Sequence, residues 1–198
     1  MRVFAYCDRS FAQGMRRVAG VKPVTCPPMT AETFEPHWLE DRELILIDLH
    51  GEPGEAAWYA IDDAGSVPRC IDALRAEQIR QADLGNAIVF AASCYLADED
   101  SPMLDALLDA GARYVIAAPG ENYAGRRRLM GASLLGYIFR LALERGRHPL
   151  KALAVAKRWL RWWPGRDAVE ADTLEFRAYY RPGGTYATDA DEKNGGRT

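Results

Sequence analysis

The sequence predicts an α/β protein: a three-layer α/β/α sandwich built on a mostly parallel six-stranded sheet. Two observations lead to that reading. Residues 44–49 (LILIDL), 87–92 (AIVFAA) and 113–118 (RYVIAA) are short and almost wholly apolar, as strands covered on both faces are. Between them the apolar residues recur at helical spacing, and strands alternating with helices in this way build a parallel sheet with helices on its faces. With 198 residues, 48% of them hydrophobic, the chain can bury one sizeable core. It reads as a single domain over 1–184, followed by a disordered tail, 185–198, rich in Gly, Asp, Thr and Ala.

In chain order, Val3 to Cys7 is the first strand, and Val24-Thr25-Cys26, caught between Pro23 and Pro27, is the second. Thr30, Thr33 and Phe34 open a helical stretch toward Leu39 that Asp41 breaks. The third strand, 44–49, is apolar on both faces except at Asp48. Ala57-Trp58-Tyr59-Ala60-Ile61, the turn signal Asp62-Asp63-Ala64-Gly65 and Val67 then form a small hairpin. Ile71, Leu74 and Ile79 predict a helix over 71–82, ended by Asp83-Leu84-Gly85-Asn86 before the fourth sheet strand at 87–92. Ser101-Pro102 caps a helix with Met103, Leu104, Leu107 and Leu108 on one stripe, stopped at Gly111. After the strand at 113–118 and Pro119-Gly120, the spacing predicts helices over 129–145 and 149–162 and a last strand over 174–180.

Two of the apolar strands run into reactive side chains, one into His50-Gly51 and the other into Ser93-Cys94. In a parallel sheet the crevice outside the carboxyl ends of the strands is where ligands bind. The right-handed crossover tends to set such strands side by side, roughly 4.8 Å apart. A thiol and an imidazole converging there make a nucleophile with its acid/base partner. Gly51, without a Cβ, lets a substrate carbonyl approach, and its N–H with that of Cys94 makes an oxyanion hole. Each residue also has an ordinary reading: free cysteine is often a buried small hydrophobe, and a histidine after a strand is often a hydrogen-bonded loop residue.

Asp98 and Asp100, in an acidic run just past Cys94, are candidates to bind a substrate lysine or arginine. The same charges would also complement the dipole of the helix that follows. Asp8, past the first strand, is a further candidate, and Glu52-Pro53-Gly54-Glu55 either covers the cleft or only connects to the hairpin. His37 and His148, each next to a proline, are poorer bases, and Cys7 is the rival nucleophile.

The order of apolar strand, His-Gly, hairpin, helix, apolar strand, Ser-Cys, helix, strand, helix, helix, strand resembles the caspase-like cysteine peptidases of the CHAT type. The stretches that carry it are LILIDLHG, AIVFAASC, LLDAGARYVIAAPGEN, GASLLGYIFRLALERGRHPLKALAVAKRWLR and EFRAYYRPGG, which span about residues 42–184. The resemblance implies a caspase-like fold, peptide hydrolysis, a dyad of His50 and Cys94, and a pocket wall at Glu121 and Asn122. Where the family follows its cysteine with an acidic or polar residue and a nearby glycine, this chain has Tyr95-Leu96-Ala97. Where related basic-specific enzymes place an acid before the cysteine, it has Ser93.

Other classes find less support. The net charge of -3 and pI of about 5.7 provide no whole-molecule attraction for nucleic acid. Four cysteines without a C-x-x-C pair and 3 histidines give no zinc ligand set, so no metal is expected. There is no G-x-x-x-x-G-K-[ST], G-x-G-x-x-G or G-x-S-x-G, so no nucleotide cofactor and no serine hydrolase are expected; Gly120, Gly125 and Arg126-Arg127-Arg128 recapitulate a phosphate loop only weakly. No signal peptide and no run of 18 apolar residues is present, so the expectation is a soluble, cytoplasmic protein with reduced thiols and no membrane contact. Arg145, Arg147, Lys151, Lys157, Arg158, Arg161 and Arg166, with Trp159, Trp162 and Trp163 and no acid among them until Asp167, form either a solvated face over packed tryptophans or a surface for an activating or regulatory protein partner. The sequence therefore points to a cysteine endopeptidase acting on a protein or peptide substrate through an acyl-enzyme, without cofactor. A catalytically silent caspase-like scaffold and a flavodoxin-like small-molecule binder are the alternatives.

Overall fold

Alternate residues along each central strand feed two separate cores. The computed structural model describes residues 1–123, 129–162, 171–181 and 187–188. The elements are β1 (Val3–Asp8), α1 (Ala12–Ala19), β2 (Val24–Cys26), β3 (Leu44–Asp48), β4 (Ala57–Asp62), β5 (Arg69–Arg75), α2 (Ala76–Arg80), β6 (Ile88–Ala91), α3 (Pro102–Asp109), β7 (Tyr114–Ala117), α4 (Gly131–Glu144), α5 (Pro149–Trp162), β8 (Arg177–Tyr180) and β9 (Ala187–Thr188). Ile45 and Ile47 of β3, with Val89 and Ala91 of β6, pack under α2, α3 and the β4–β5 hairpin. Leu44 and Leu46, with Phe90 and Ile116, pack under α1, α4 and α5. The period of two in the strands thus supplies one apolar set to each face.

The sheet order is β2-β1-β3-β6-β7-β8-β9. The first five strands are parallel to their neighbours, whereas β8 runs antiparallel to β7 and β9 antiparallel to β8. All six expected strands are present, and the two-residue β9 adds a seventh at the edge. That addition corrects the reading of 185–198 as wholly disordered: Ala187 and Thr188 pair with Tyr180 and Tyr179, and the rest of that tail lies outside the described residues.

Three further expectations change. Residues 71–75 are not helical, because Arg69–Arg75 finds a ladder partner in β4, and only Ala76–Arg80 turns into helix. A register shift at Trp58/Tyr59 lets the adjacent residues Ala73 and Leu74 both be buried, which gave the strand its helix-like spacing. The 30–39 stretch holds only a turn at Thr30, with Thr33 and Phe34 donating to its carbonyl, and one 3-10 turn at Pro36–Leu39; the proline keeps Glu35 extended. Helix α1 was not anticipated, although Phe11, Met15 and Val18 stand at helical spacing and Gly20 ends it with φ of 70°. Arg140 of α4 is buried and donates to the Val18 carbonyl and to Glu144, tying α4 to α1.

No helix among the described residues is long and apolar enough to cross a membrane. Leu46 is fully buried in the α1, α4 and α5 core, so Leu46→Ala is expected to lower unfolding free energy by about 2–5 kcal/mol, read as a lower denaturation midpoint with an unchanged slope.

Candidate active site

The ends of β3 and β6 meet backbone to backbone. Ile47 and Ala91 are paired in register, and Ala92 donates its N–H to the Ile47 carbonyl at 2.8 Å. One residue further, the Leu49 N–H points at the Ser93 hydroxyl at 3.4 Å, inside the protein. A Cβ on Gly51 would lie 2.5 Å from the Cys94 carbonyl oxygen and 3.3 Å from the Trp58 ring, so only glycine allows this approach. The sequence reading assigned Gly51 to substrate access; its immediate reason is contact with Cys94 itself.

The resulting cleft encloses about 360 Å³ and is lined by Phe11, Asp48, His50, Gly51, Glu52, Tyr59, Cys94, Tyr95, Glu121, Asn122 and Tyr123, among others. His50 is held from three sides. Its N–H and carbonyl exchange hydrogen bonds with Tyr59 at 2.9 and 3.0 Å, joining the end of β3 to the hairpin. Its ring stacks on Tyr59, with centroids 5.4 Å apart, and lies 5.4 Å from the Phe11 ring. Its Nε2 lies 3.4 Å from Oδ2 of Asp8.

Cys94 is half-buried. Its sulfur accepts the Asn122 N–H at 3.2 Å and its thiol donates to the Asn122 carbonyl at 3.6 Å. Burial pushes its pKa above the usual thiol value, the Asn122 N–H opposes this, and the Glu121 and Asp48 charges add to it. The resting group is therefore a thiol. No hydrogen bond joins it to His50 among the described residues. The Gly51 N–H donates to no residue among those described, and the Cys94 N–H is turned toward its own sulfur.

Of the acidic candidates, Glu121 lines the cleft and accepts from the hydroxyls of Tyr95 at 3.1 Å and Tyr123 at 2.9 Å. Asn122 lines it too, and its side chain donates to the Ser93 carbonyl at 2.9 Å, while its Oδ1 is buried without a partner among the described residues. Asp98 and Asp100 are not in the lining. The loop after β6 folds back on the loop after β7, so Asp98 accepts the Gly120 N–H at 2.9 Å, and Asp100 is exposed with φ of 59°. Asp8 is not a cleft-facing ligand either. It is 1% exposed, and both carboxylate oxygens are engaged. Cys7 is fully buried and its pKa is strongly raised, first by burial and then by Asp48 and Asp8, which removes it as a nucleophile.

Phe11, Tyr59 and Asp48 were not anticipated as members of the site. Only Asp48 left a signal, as the one polar residue in an apolar strand. Elsewhere, Arg145 and Arg147 border an apolar groove of about 380 Å³ between α4 and α5, with Tyr137, Ile138, Leu141 and Trp159 in its wall; Trp163 and Arg166 lie outside the described residues. No group of three or more His, Cys, Asp or Glu among the described residues is arranged to hold a metal ion. Neither protein-family models nor curated proteins offer a match to the chain.

The two carboxylates near His50 titrate in opposite directions. Burial works against ionisation of Asp8, but hydrogen bonds from His50, Ile61 and Ser10 outweigh it and bring the pKa down to about 2. Asp48 is 4% exposed; burial pushes its pKa up to about 7, with His50 opposing and Asp8 adding to the rise. Since an unfolded aspartate titrates near 3.9, Asp8 stabilises the fold above about pH 4, a contribution lost as pH falls through about 2. The contribution of Asp48 is full below about pH 4 and lost as pH rises through about 7. Asp48→Asn is therefore expected to gain stability relative to the parent between about pH 4 and 7 and hold that difference above, read from denaturation midpoints across pH.

Proposed function

We propose that the chain is a cysteine endopeptidase with a caspase-like, CHAT-type fold, cleaving peptide bonds through His50 and Cys94. The observation that carries this reading is the junction of the two strand ends, where an imidazole and a thiol share one open cleft beside the backbone of Gly51 and Cys94. In the reaction, the Cys94 sulfur attacks the scissile carbonyl carbon while His50 takes the thiol proton. The N–H groups of Gly51 and Cys94 hold the oxyanion. As the carbon–nitrogen bond breaks, the imidazolium gives its proton to the leaving amine. Water deprotonated by His50 then hydrolyses the thioester. Substrate must first displace the Asn122 backbone from the thiol, and hydrogen bonds of a catalytic group tighten when substrate fills the site.

A lysine or arginine before the scissile bond fits the lining. Glu52 and Glu121 supply negative charge, and Phe11, Tyr59, Tyr95 and Tyr123 supply ring faces for a cation. One observation favours the second reading, a catalytically silent caspase-like scaffold: the thiol is protonated and makes no bond to His50. The exposed Cys70 separates the two. A peptide acyloxymethyl ketone with Lys or Arg next to the warhead is expected to label Cys94 ahead of Cys70. Labelling at Cys94 should vanish in Cys94→Ala and slow at least about tenfold in His50→Ala. Labelling of Cys70 first, unaffected by His50→Ala, supports the scaffold.

The expected protein partner belongs to the α4–α5 groove. Its apolar wall, the bordering Arg145 and Arg147, and the exposed Lys151, Arg158 and Arg161 on α5 complement an amphipathic helix with acidic flanks. A Leu-rich helical peptide with flanking glutamates is expected to change tryptophan emission on binding and to bind at least roughly tenfold more weakly to Arg145→Glu/Arg147→Glu. Equal binding by a lysine-flanked version contradicts this placement.

A further inference from the structure

Among the described residues Asp8 is the ionised carboxylate buried directly against the imidazole, and β1 delivers it there with little freedom to move. Its Oδ1 accepts the Ser10 N–H at 2.6 Å, capping the 3-10 turn Arg9–Phe11. Its Oδ2 accepts the Ile61 N–H of β4 at 2.7 Å and lies 3.4 Å from Nε2 of His50. The turn that Asp8 caps also carries Phe11, whose ring is 5.4 Å from the His50 ring. One strand end therefore grips the imidazole twice, by charge and by ring contact. We propose that Asp8 is the positioning residue of His50: it fixes the neutral imidazole with its proton on Nε2, so that Nδ1 is the nitrogen that exchanges protons in the cleft.

This inference rests on the peptidase reading and adds a third member to its site. When Nδ1 takes the Cys94 proton as the sulfur–carbon bond forms, the ring becomes a cation, and the buried Asp8 anion stabilises it without moving. The proton then passes from Nδ1 to the leaving nitrogen as the carbon–nitrogen bond breaks, and Asp8 itself stays ionised throughout. Its low pKa keeps it an anion at any pH where the thiol reacts. A substrate-binding role is incompatible with 1% exposure and two occupied oxygens. The other ionisable groups around the ring are Asp48 on β3, Tyr59 on β4, Cys94 after β6, and Glu52 and Glu121 in the cleft lining. Of the described residues, Asp8 is the one within reach of a ring nitrogen.

The test is Asp8→Asn, read by two measurements. In peptide cleavage, kcat is expected to fall about 10²–10⁴-fold with KM changed less than about threefold, because the substituted group does not touch substrate. In ¹⁵N-histidine NMR at a pH where His50 is neutral, assigned with His50→Gln, the parent is expected to carry its proton on Nε2, and Asp8→Asn to move it wholly or partly to Nδ1. Undiminished kcat in a folded Asp8→Asn, or an Nδ1-protonated ring in the parent, overturns the proposal. If Asp8→Asn does not fold, the parent's tautomer alone decides. If the parent cleaves no peptide, the peptidase reading fails, whereas the tautomer comparison still tests whether Asp8 sets the state of His50.

Discussion

Everything in the cleft depends on the Gly51 backbone lying against the Cys94 carbonyl. Parallel pairing brings β3 and β6 together only as far as Ile47 and Ala91. Past that point nothing in a ladder obliges two chains to stay close. The missing Cβ at Gly51 lets them do so, and Ser93 continues the seam by meeting Leu49 on one side and Asn122 on the other. A methyl group at Gly51 would meet backbone, which cannot rotate aside as a side chain can. It would separate the imidazole from the thiol and both N–H groups from each other.

The electrostatics follow from the same crowding. Two aspartates lie near one histidine, and their fates differ because their hydrogen bonds differ. Asp8 receives two backbone N–H groups and faces Nε2, so it stays charged despite burial. For Asp48, burial dominates and favours the neutral acid. Cys94 is likewise held as a thiol, engaged with the Asn122 backbone. Such a site does not keep a standing thiolate. In the proposed reaction a substrate displaces the Asn122 backbone and brings the histidine into play, and the Asn122 Oδ1, without a partner among the described residues, gives that loop a polar group still to be satisfied.

The parallel core and α5 were legible because their signals are local: runs such as 44–49 and 113–118 have no polar face, and Pro149 opens a clean helical period. His50 and Cys94 were legible as strand ends, and the strand order sets them in one cleft. What failed depended on distant partners. Residues 71–75 read as helix until β4 supplies a ladder. Asp98 looks like a ligand until the Gly120 N–H, 22 residues away, takes its carboxylate. Asp8 reads as a substrate contact from its place past the first strand; that it instead backs His50, with Phe11 beside it, follows because β1 lies beside β3 and ends level with it, which local spacing does not show.

The central claim is that Cys94 is a nucleophile served by His50. Its most direct measurement is intact and tryptic mass analysis of the chain quenched during reaction with an activated peptide ester. The account predicts a transient acyl group on Cys94 that forms and decays far more slowly in His50→Ala. Acylation confined to the exposed Cys70, or no adduct on Cys94 at any time, would contradict it.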